Sequence, residues 1–210
     1  MNRVNTLDSK MNKDKSSKTA KPPRKLKNSI LRSREYLSQS EIDQLRKAAR
    51  QHGYHAFRDD TLIFIMFRHG LRVSEIIALR WEQIDLKNGL MHVKRIKNGI
   101  PSTHPIRGPE LRALRKLQRD YPDSPYVFVS ERKAPLSART VRHIIHQIGE
   151  NAGFEFTIHP HMLRHSTGFY LASRGHDTRA IQSYLGHANI NNTVIYTQLS
   201  PRRFNDFWDD

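Results

Sequence analysis

Between Gln83 and Ile106 the apolar residues change period, and that change restricts the fold more than any other feature of the chain. The runs "QIDLKNG", "LMHVKRIKNG" and "IPSTHPI" are short and are separated twice by Lys-Asn-Gly. Asn-Gly tolerates positive φ at both turn positions and is the strongest short hairpin signal. The stretch predicts a three-stranded antiparallel sheet over residues 83 to 106. On either side the pattern is helical. "YLSQSEIDQLRKAARQHG" offers Ser38 or Ser40 as N-cap, then Ile42, Leu45 and Ala48 or Ala49 at helical spacing, and Gly53 as a stop. "AFRDDTLIFIMFRHG" is apolar nearly all round, which predicts a buried helix ending at Gly70. "RVSEIIALR" follows, capped at Ser74 or the residue before it. Further helices are predicted over residues 109 to 120, 137 to 152, 161 to 174, 177 to 185 and 190 to 198. Pro122, Pro125, Gly153, Pro160, Gly175 and Gly186 mark the breaks. In the last helix Ile190, Val194 and Ile195 are expected to face inward. The fold class is mainly α with one small three-stranded antiparallel sheet.

The chain has 210 residues, with 36 Lys plus Arg against 20 Asp plus Glu, a formal charge of +16. Such an excess favours a polyanionic partner, because each cation that reaches a phosphate releases condensed counterions. Residues 1 to 34 carry +9 of that charge and few apolar residues. "DKSSKTAKPPRKLKNS" reads as a solvated, disordered tail, either an arm that tracks a nucleic-acid backbone or a solubilising extension. Residues 35 to 210 read as the folded domain. There is no cysteine, which excludes disulfides, thiolate metal sites and cysteine nucleophiles. No apolar run approaches a membrane span, and no secretory signal opens the chain. An intracellular, cytoplasmic protein is expected, with no membrane partner.

Four features could carry chemistry, and each has a plain structural explanation. "RHGLRVSE" puts Arg72 at a helix entry, where arginines are usually solvated. "KRIKNG" puts Lys97 at a hairpin tip, where lysine usually protects an edge. "HPHMLRHS" puts His161 and Arg164 three apart on one helical face, with His165 one turn beyond His161. His159, His161 and His165 invite a metal-dependent nuclease reading. An arginine on the same face opposes it, and no carboxylate lies between Thr157 and His176. No metal and no cofactor are expected. "YLGHANINNTVIYTQL" has His187 after a helix-breaking glycine and Tyr196 nine residues later, among Asn and Thr.

Together these residues say more than any one of them. A tyrosine supplies an oxygen nucleophile. Two arginines offer planar forks to the oxygens of a phosphate, and histidines can move protons. No carboxylate pair is at hand for Mg²⁺. That fits a covalent phosphotyrosine route, which preserves the energy of a phosphodiester.

"HGLRVSEI…LRW", "HPHMLRHS" and "YLGHANINNTVIYT", in that order, resemble the tyrosine site-specific recombinases, or phage-integrase family, over residues 35 to 200. The resemblance implies a catalytic domain of that type. It implies that Arg72 and Arg164 clamp the scissile phosphate, that His187 assists them, and that His161 helps proton movement at the nucleophile. Lys97 would protonate the departing 5′ oxygen, Tyr196 would form a 3′-phosphotyrosyl bond, and Glu75 would brace the site. A typical member closes on DNA with an additional N-terminal helical domain, where this chain has a basic tail. The short form is most similar to fimbrial phase-switch invertases, which implies inversion of a promoter element between inverted repeats in double-stranded DNA. A homotetramer on DNA and DNA-bending accessory proteins are the implied partners. Phe204, Phe207 and Trp208 form an apolar stripe that could dock on a neighbouring subunit or fold back. On this reading Tyr196 has polar neighbours because a DNA phosphate must reach it. The alternative is a non-catalytic DNA-binding transcriptional regulator.

Overall fold

The computed structural model describes residues 35–96, 99–198 and 204. The expectations for the basic tail, for Lys97 and for Phe207 and Trp208 fall outside the described residues. Helix α1 spans Gln39–Gln51. Its N-cap Ser38 accepts from the Glu41 N–H, and the Glu41 carboxylate accepts from the Ser38 N–H in return. Helix α2, Ala56–His69, is buried along most of its length and stops at Gly70, which takes the left-handed conformation at φ 58°. A short helix α3, Val73–Ile77, follows with Arg72 as its N-cap, ahead of both expected positions, Ser74 and Val73.

A three-stranded antiparallel sheet comes next, in the order β1 (Ile84–Asp85), β2 (Leu90–Val93), β3 (Ser102–Pro105). Ile84 pairs with Met91, and Leu90 to Val93 pair with Pro105 to Ser102. The sheet is where it was predicted, but the first Asn-Gly does not form a two-residue turn, and Asn98 of the second lies outside the described residues. In the first loop the Asp85 carboxylate accepts from the Lys87 and Asn88 N–H groups. Only Gly89 then needs positive φ, at 67°. In the second, pairing stops at Val93 and Ser102 because Arg95 turns out of the ladder into the protein interior. Strand β3 is fastened to the end of α2 by His104, whose Nδ1 lies 3.1 Å from His69 Nδ1. His104 Nε2 is 2.8 Å from Ser102 Oγ.

Helices α4 (Gly108–Asp120), α5 (Ala138–Asn151), α6 (Pro160–Ser173), α7 (Thr178–Leu185) and α8 (Asn191–Gln198) complete the fold. Helix α2 is the hub and packs on α1, α4 and α6. The main core gathers Leu45, Ile63, Met66, Ile76, Leu114 and Leu163. A smaller cluster of Ala172, Ile181, Leu185 and Tyr196 joins α6, α7 and α8. Among the described residues no helix is long and apolar enough to cross a membrane.

Helix α8 is rotated from the expected orientation. Thr193 and Tyr196 are its buried residues, and Ile195 is 42% exposed. Hydrogen bonding decides this. Thr193 Oγ1 lies 2.8 Å from His187 Nδ1. The tyrosine ring lies over Gly168, where any β-carbon would come within 2.5 to 2.7 Å of its carbons.

Candidate active site

The end of α2 supplies the floor of the site. Its carbonyls have no further helical turn to accept from, so they attract cations. The Arg164 guanidinium, on α6, donates to Gly70 O at 2.5 Å and to Leu185 O at 2.7 Å, bridging the ends of α2 and α7. It is 1% exposed. Arg95 donates to Tyr184 O at 2.6 Å and to the Glu75 carboxylate at 2.8 Å. The same carboxylate accepts from the Arg72 N–H at 2.9 Å and from the Arg72 guanidinium at 2.7 Å. Glu75 thus caps α3 and ties two arginines together. Burial pushes its pKa up, but Arg95 and the hydrogen bonds from Arg72 outweigh burial and hold it below the usual carboxylate value.

Two guanidiniums therefore share one carboxylate, and the third, that of Arg164, lies near enough to feel its charge in a poorly solvated site. Burial, then the charges of Arg72 and Arg95, bring the pKa of Arg164 down to about 9. Such a cluster is short of negative charge. Arg72 is its most open member, with a quarter or more of its side chain exposed (28%). An anion bound here would meet the Arg72 fork without desolvating a second carboxylate.

His187 follows Gly186, which ends α7 at φ 66°. Burial and then Arg164 and Arg72 bring its pKa down to about 3, so the imidazole is neutral. Its ring lies 6.4 Å from the ring of Tyr196. Tyr196 is 2% exposed and packs edge-on against Phe169 at 5.1 Å. Burial pushes its phenol up to about 12, while the charges of Arg164 and Arg72 pull the other way.

The expectation of a solvated Tyr196 is therefore corrected. Its neighbours in sequence are polar, but its neighbours in space are the faces of α6 and α7. The hydroxyl meets His165 Nδ1 at 3.0 Å, not His161. His161 is exposed and stands edge-on to the His165 ring at 4.3 Å. The fold thus brings Arg72, Glu75, Arg164, His187 and Tyr196 to one site, with His161 at its edge. Lys97 lies outside the described residues, although both flanks of its loop are held here. Arg95 is bound as above, and the Ile100 N–H donates to Gly186 O at 3.4 Å. Among the described residues no three His, Asp or Glu side chains gather into a metal-holding set.

Arg95 and His165 are the two site residues that sequence reasoning did not assign. Arg95 carries no local signal. His165 does, because Gly168 lies three residues on along the same helical face, and a glycine there marks a close approach.

The model of the phage integrase family matches residues 35–203. This chain belongs to that family. Relatives within the family are also similar over most of their length. The "Type 1 fimbriae regulatory protein FimB" of Escherichia coli K12 is 47% identical over 181 residues, covering 84% of this chain and 90% of the relative. The "Type 1 fimbriae regulatory protein FimE" of the same strain is 38% identical, covering 84% and 91%. The crystal structure of XerA recombinase superposes with a TM-score of 0.72 at 27% identity. It matches 83% of this chain, which spans 65% of that one. The integrase-family chain is thus a tyrosine recombinase with a mostly helical catalytic domain.

Proposed function

We propose that this tyrosine recombinase cuts and rejoins double-stranded DNA at inverted repeats, and thereby inverts a promoter element that governs fimbrial expression. The observation that carries the chemistry is a phenol and three guanidiniums meeting in a site where Glu75 is the carboxylate that holds the arginines. Tyr196 attacks the scissile phosphorus. Arg72 and Arg164 neutralise the non-bridging oxygens as charge builds on the pentacoordinate phosphate. His187, held by Thr193, donates to that charge, and His161 lines the open edge. Lys97 protonates the 5′ oxygen as it leaves. The 3′-phosphotyrosyl bond keeps the energy of the phosphodiester, so the reverse step needs no nucleotide cofactor.

The fimbrial assignment draws its support from the identity to FimB and FimE. DNA binding is supported by the charge of +16. Four chains on two paired repeats, with accessory bending proteins and a backbone-tracking tail over residues 1–34, complete the reading, in the cytoplasm on the nucleoid.

A nicked suicide substrate from DNA around the gene tests it, in chelator, on denaturing gels. Wild type is expected to give a protein–DNA adduct with a free 5′ hydroxyl. Tyr196→Phe is expected to give none while binding the same DNA with unchanged affinity. An adduct formed by Tyr196→Phe would overturn the nucleophile assignment. Tight binding with no wild-type adduct on any neighbouring repeat would favour a regulator without catalysis.

A further inference from the structure

We propose that His165 is the group that takes the proton from Tyr196 during strand cleavage and returns it during rejoining. The inference rests on Tyr196 being the nucleophile.

The contact joins a reacting atom to a titratable nitrogen. Tyr196 Oη and His165 Nδ1 are 3.0 Å apart, with the rings at 5.7 Å and 67°. Two elements fix the pair. His165 is held on α6, one residue from the anchored Arg164. Tyr196 is held on α8, over Gly168 and against Phe169. A tyrosine hydroxyl that donates to Nδ1 leaves the imidazole proton on Nε2. The acceptor lone pair is then already aimed at the oxygen that must be deprotonated.

The surroundings suit that role. A phenol buried this deeply does not shed its proton unaided, since burial raises its pKa to about 12. The imidazole is available as an acceptor, because burial and then the charges of His161, Arg164 and His159 keep it neutral, with a pKa near 4. The groups facing His165 are those three, with Tyr196 from α8 and His187 from the segment after α7. A phosphate held by Arg72 and Arg164 offsets the cations that press on His165. It thereby raises the basicity of the imidazole when a proton has to be accepted. His161 carries no such contact with the phenol.

The step balances. The Tyr196 O–H bond breaks as the Oη–phosphorus bond forms, and the proton passes to His165 Nδ1. The phosphorus–O5′ bond breaks, and the 5′ oxygen takes a separate proton from the leaving-group side. In rejoining, the 5′ hydroxyl attacks, its O–H bond breaks and its proton returns to the leaving-group side as the phosphorus–O5′ bond forms, the Oη–phosphorus bond breaks, and the His165 imidazolium returns its proton to Oη.

The test is the rate of adduct formation in a single turnover on the nicked substrate, followed from pH 4 to 9, where the imidazole of the phosphate-bound site is expected to titrate above its free value of about 4. His165→Asn leaves an oxygen or nitrogen near the Nδ1 position but cannot take up a proton. Expected results are a loss of roughly a hundredfold or more, the range of one general base, and loss of the acid limb seen in wild type. DNA affinity should be unchanged. His165→Ala should recover part of its rate in added imidazole, and His161→Asn should keep the acid limb. A wild-type rate and profile in His165→Asn would overturn the proposal, as would an acid limb that disappears with His161 instead. A second readout needs no variant: nitrogen chemical shifts of wild-type His165 should report a bare Nδ1 and a protonated Nε2 at pH 7. A protonated Nδ1 would overturn the proposal as well. Tyr196→Phe run in parallel separates the outcomes. If it still forms adduct, the nucleophile assignment fails. If it is silent while His165→Asn is unaffected, only the role of His165 fails.

Discussion

Glu75 shows how much one side chain can hold. Its two oxygens serve the backbone and guanidinium of Arg72 and the guanidinium of Arg95, whose side chain has no exposed surface. Glu75→Gln keeps the shape and removes the charge, leaving Arg95 buried without a counter-ion. Losing one partner of a buried pair costs about 3–5 kcal/mol, and urea unfolding at pH 7 should show a loss of that order. Strand cleavage should fall as well, because Arg72 loses its brace. The pH dependence follows from the direction of the Glu75 shift. Its folded pKa lies below the unfolded value, so its stabilisation is complete above about 4.5 and is lost as pH falls further. Unfolding midpoints taken from pH 3 to 7 should fall less steeply below pH 4.5 in Glu75→Gln than in wild type. Arg72 and Glu75 were expected only through the resemblance of "HGLRVSEI" to the recombinase segment, and the fold brings the two together across one helical turn. Arg95 was not expected, because its carboxylate partner is 20 residues away. His165 was seen only as a spare metal ligand, because Tyr196, its partner, is 31 residues away.

At the scale of elements, α6 is the seat and α8 the part seated on it. His165, Gly168, Phe169 and Ala172 follow one another along one face of α6, and the Tyr196 ring fills the gap left at Gly168. Gly168→Ala adds a carbon into that ring, and α8 has to move to admit it. DNA binding should survive, while adduct formation should drop by at least tenfold as the phenol leaves His165; gel-shift and suicide-substrate assays on the same sample would show the split. The helices were legible because caps and stops surround them: Ser38 before α1, Gly70 after α2, Gly186 after α7. The inner face of α8 was misread because hydropathy favours isoleucine over tyrosine. The fold instead exposes Ile195 and buries Thr193 and Tyr196, whose polar tips reach His187 and His165. The loops of the sheet were misread for a related reason. Asp85 closes the first with its carboxylate, and Arg95 leaves the second to reach Glu75.

For the molecule as a whole, charge and acid response are the measurable properties. Residues 1–34 hold nine of the sixteen net positive charges. Deleting them should weaken DNA binding and flatten its dependence on salt, because the slope follows the number of phosphates contacted. Titration of affinity against salt concentration reads this directly. Two buried histidines, His104 and His187, and the half-buried His165 set the acid limit. Burial, the largest cause in each case, takes His104 and His187 to about 3 and His165 to about 4. Each folded value lies below the unfolded one near 6.5, so each contribution is complete above that pH and fades as pH falls toward 4 and 3. Stability should therefore decline from about pH 6.5 downward, as urea midpoints at successive pH values would record.

The placement of Tyr196 in the small cluster with Ile181 and Leu185 has one more consequence. Drawing an aromatic ring out of such a cluster costs about 2–3 kcal/mol, which leaves the withdrawn form at roughly one molecule in thirty to one in 160. The reactive oxygen is thus aimed at its proton acceptor before any DNA arrives, and the cost of ordering it is met when the chain folds. Readiness in this protein is in part a property of packing, set by a glycine and two aliphatic side chains.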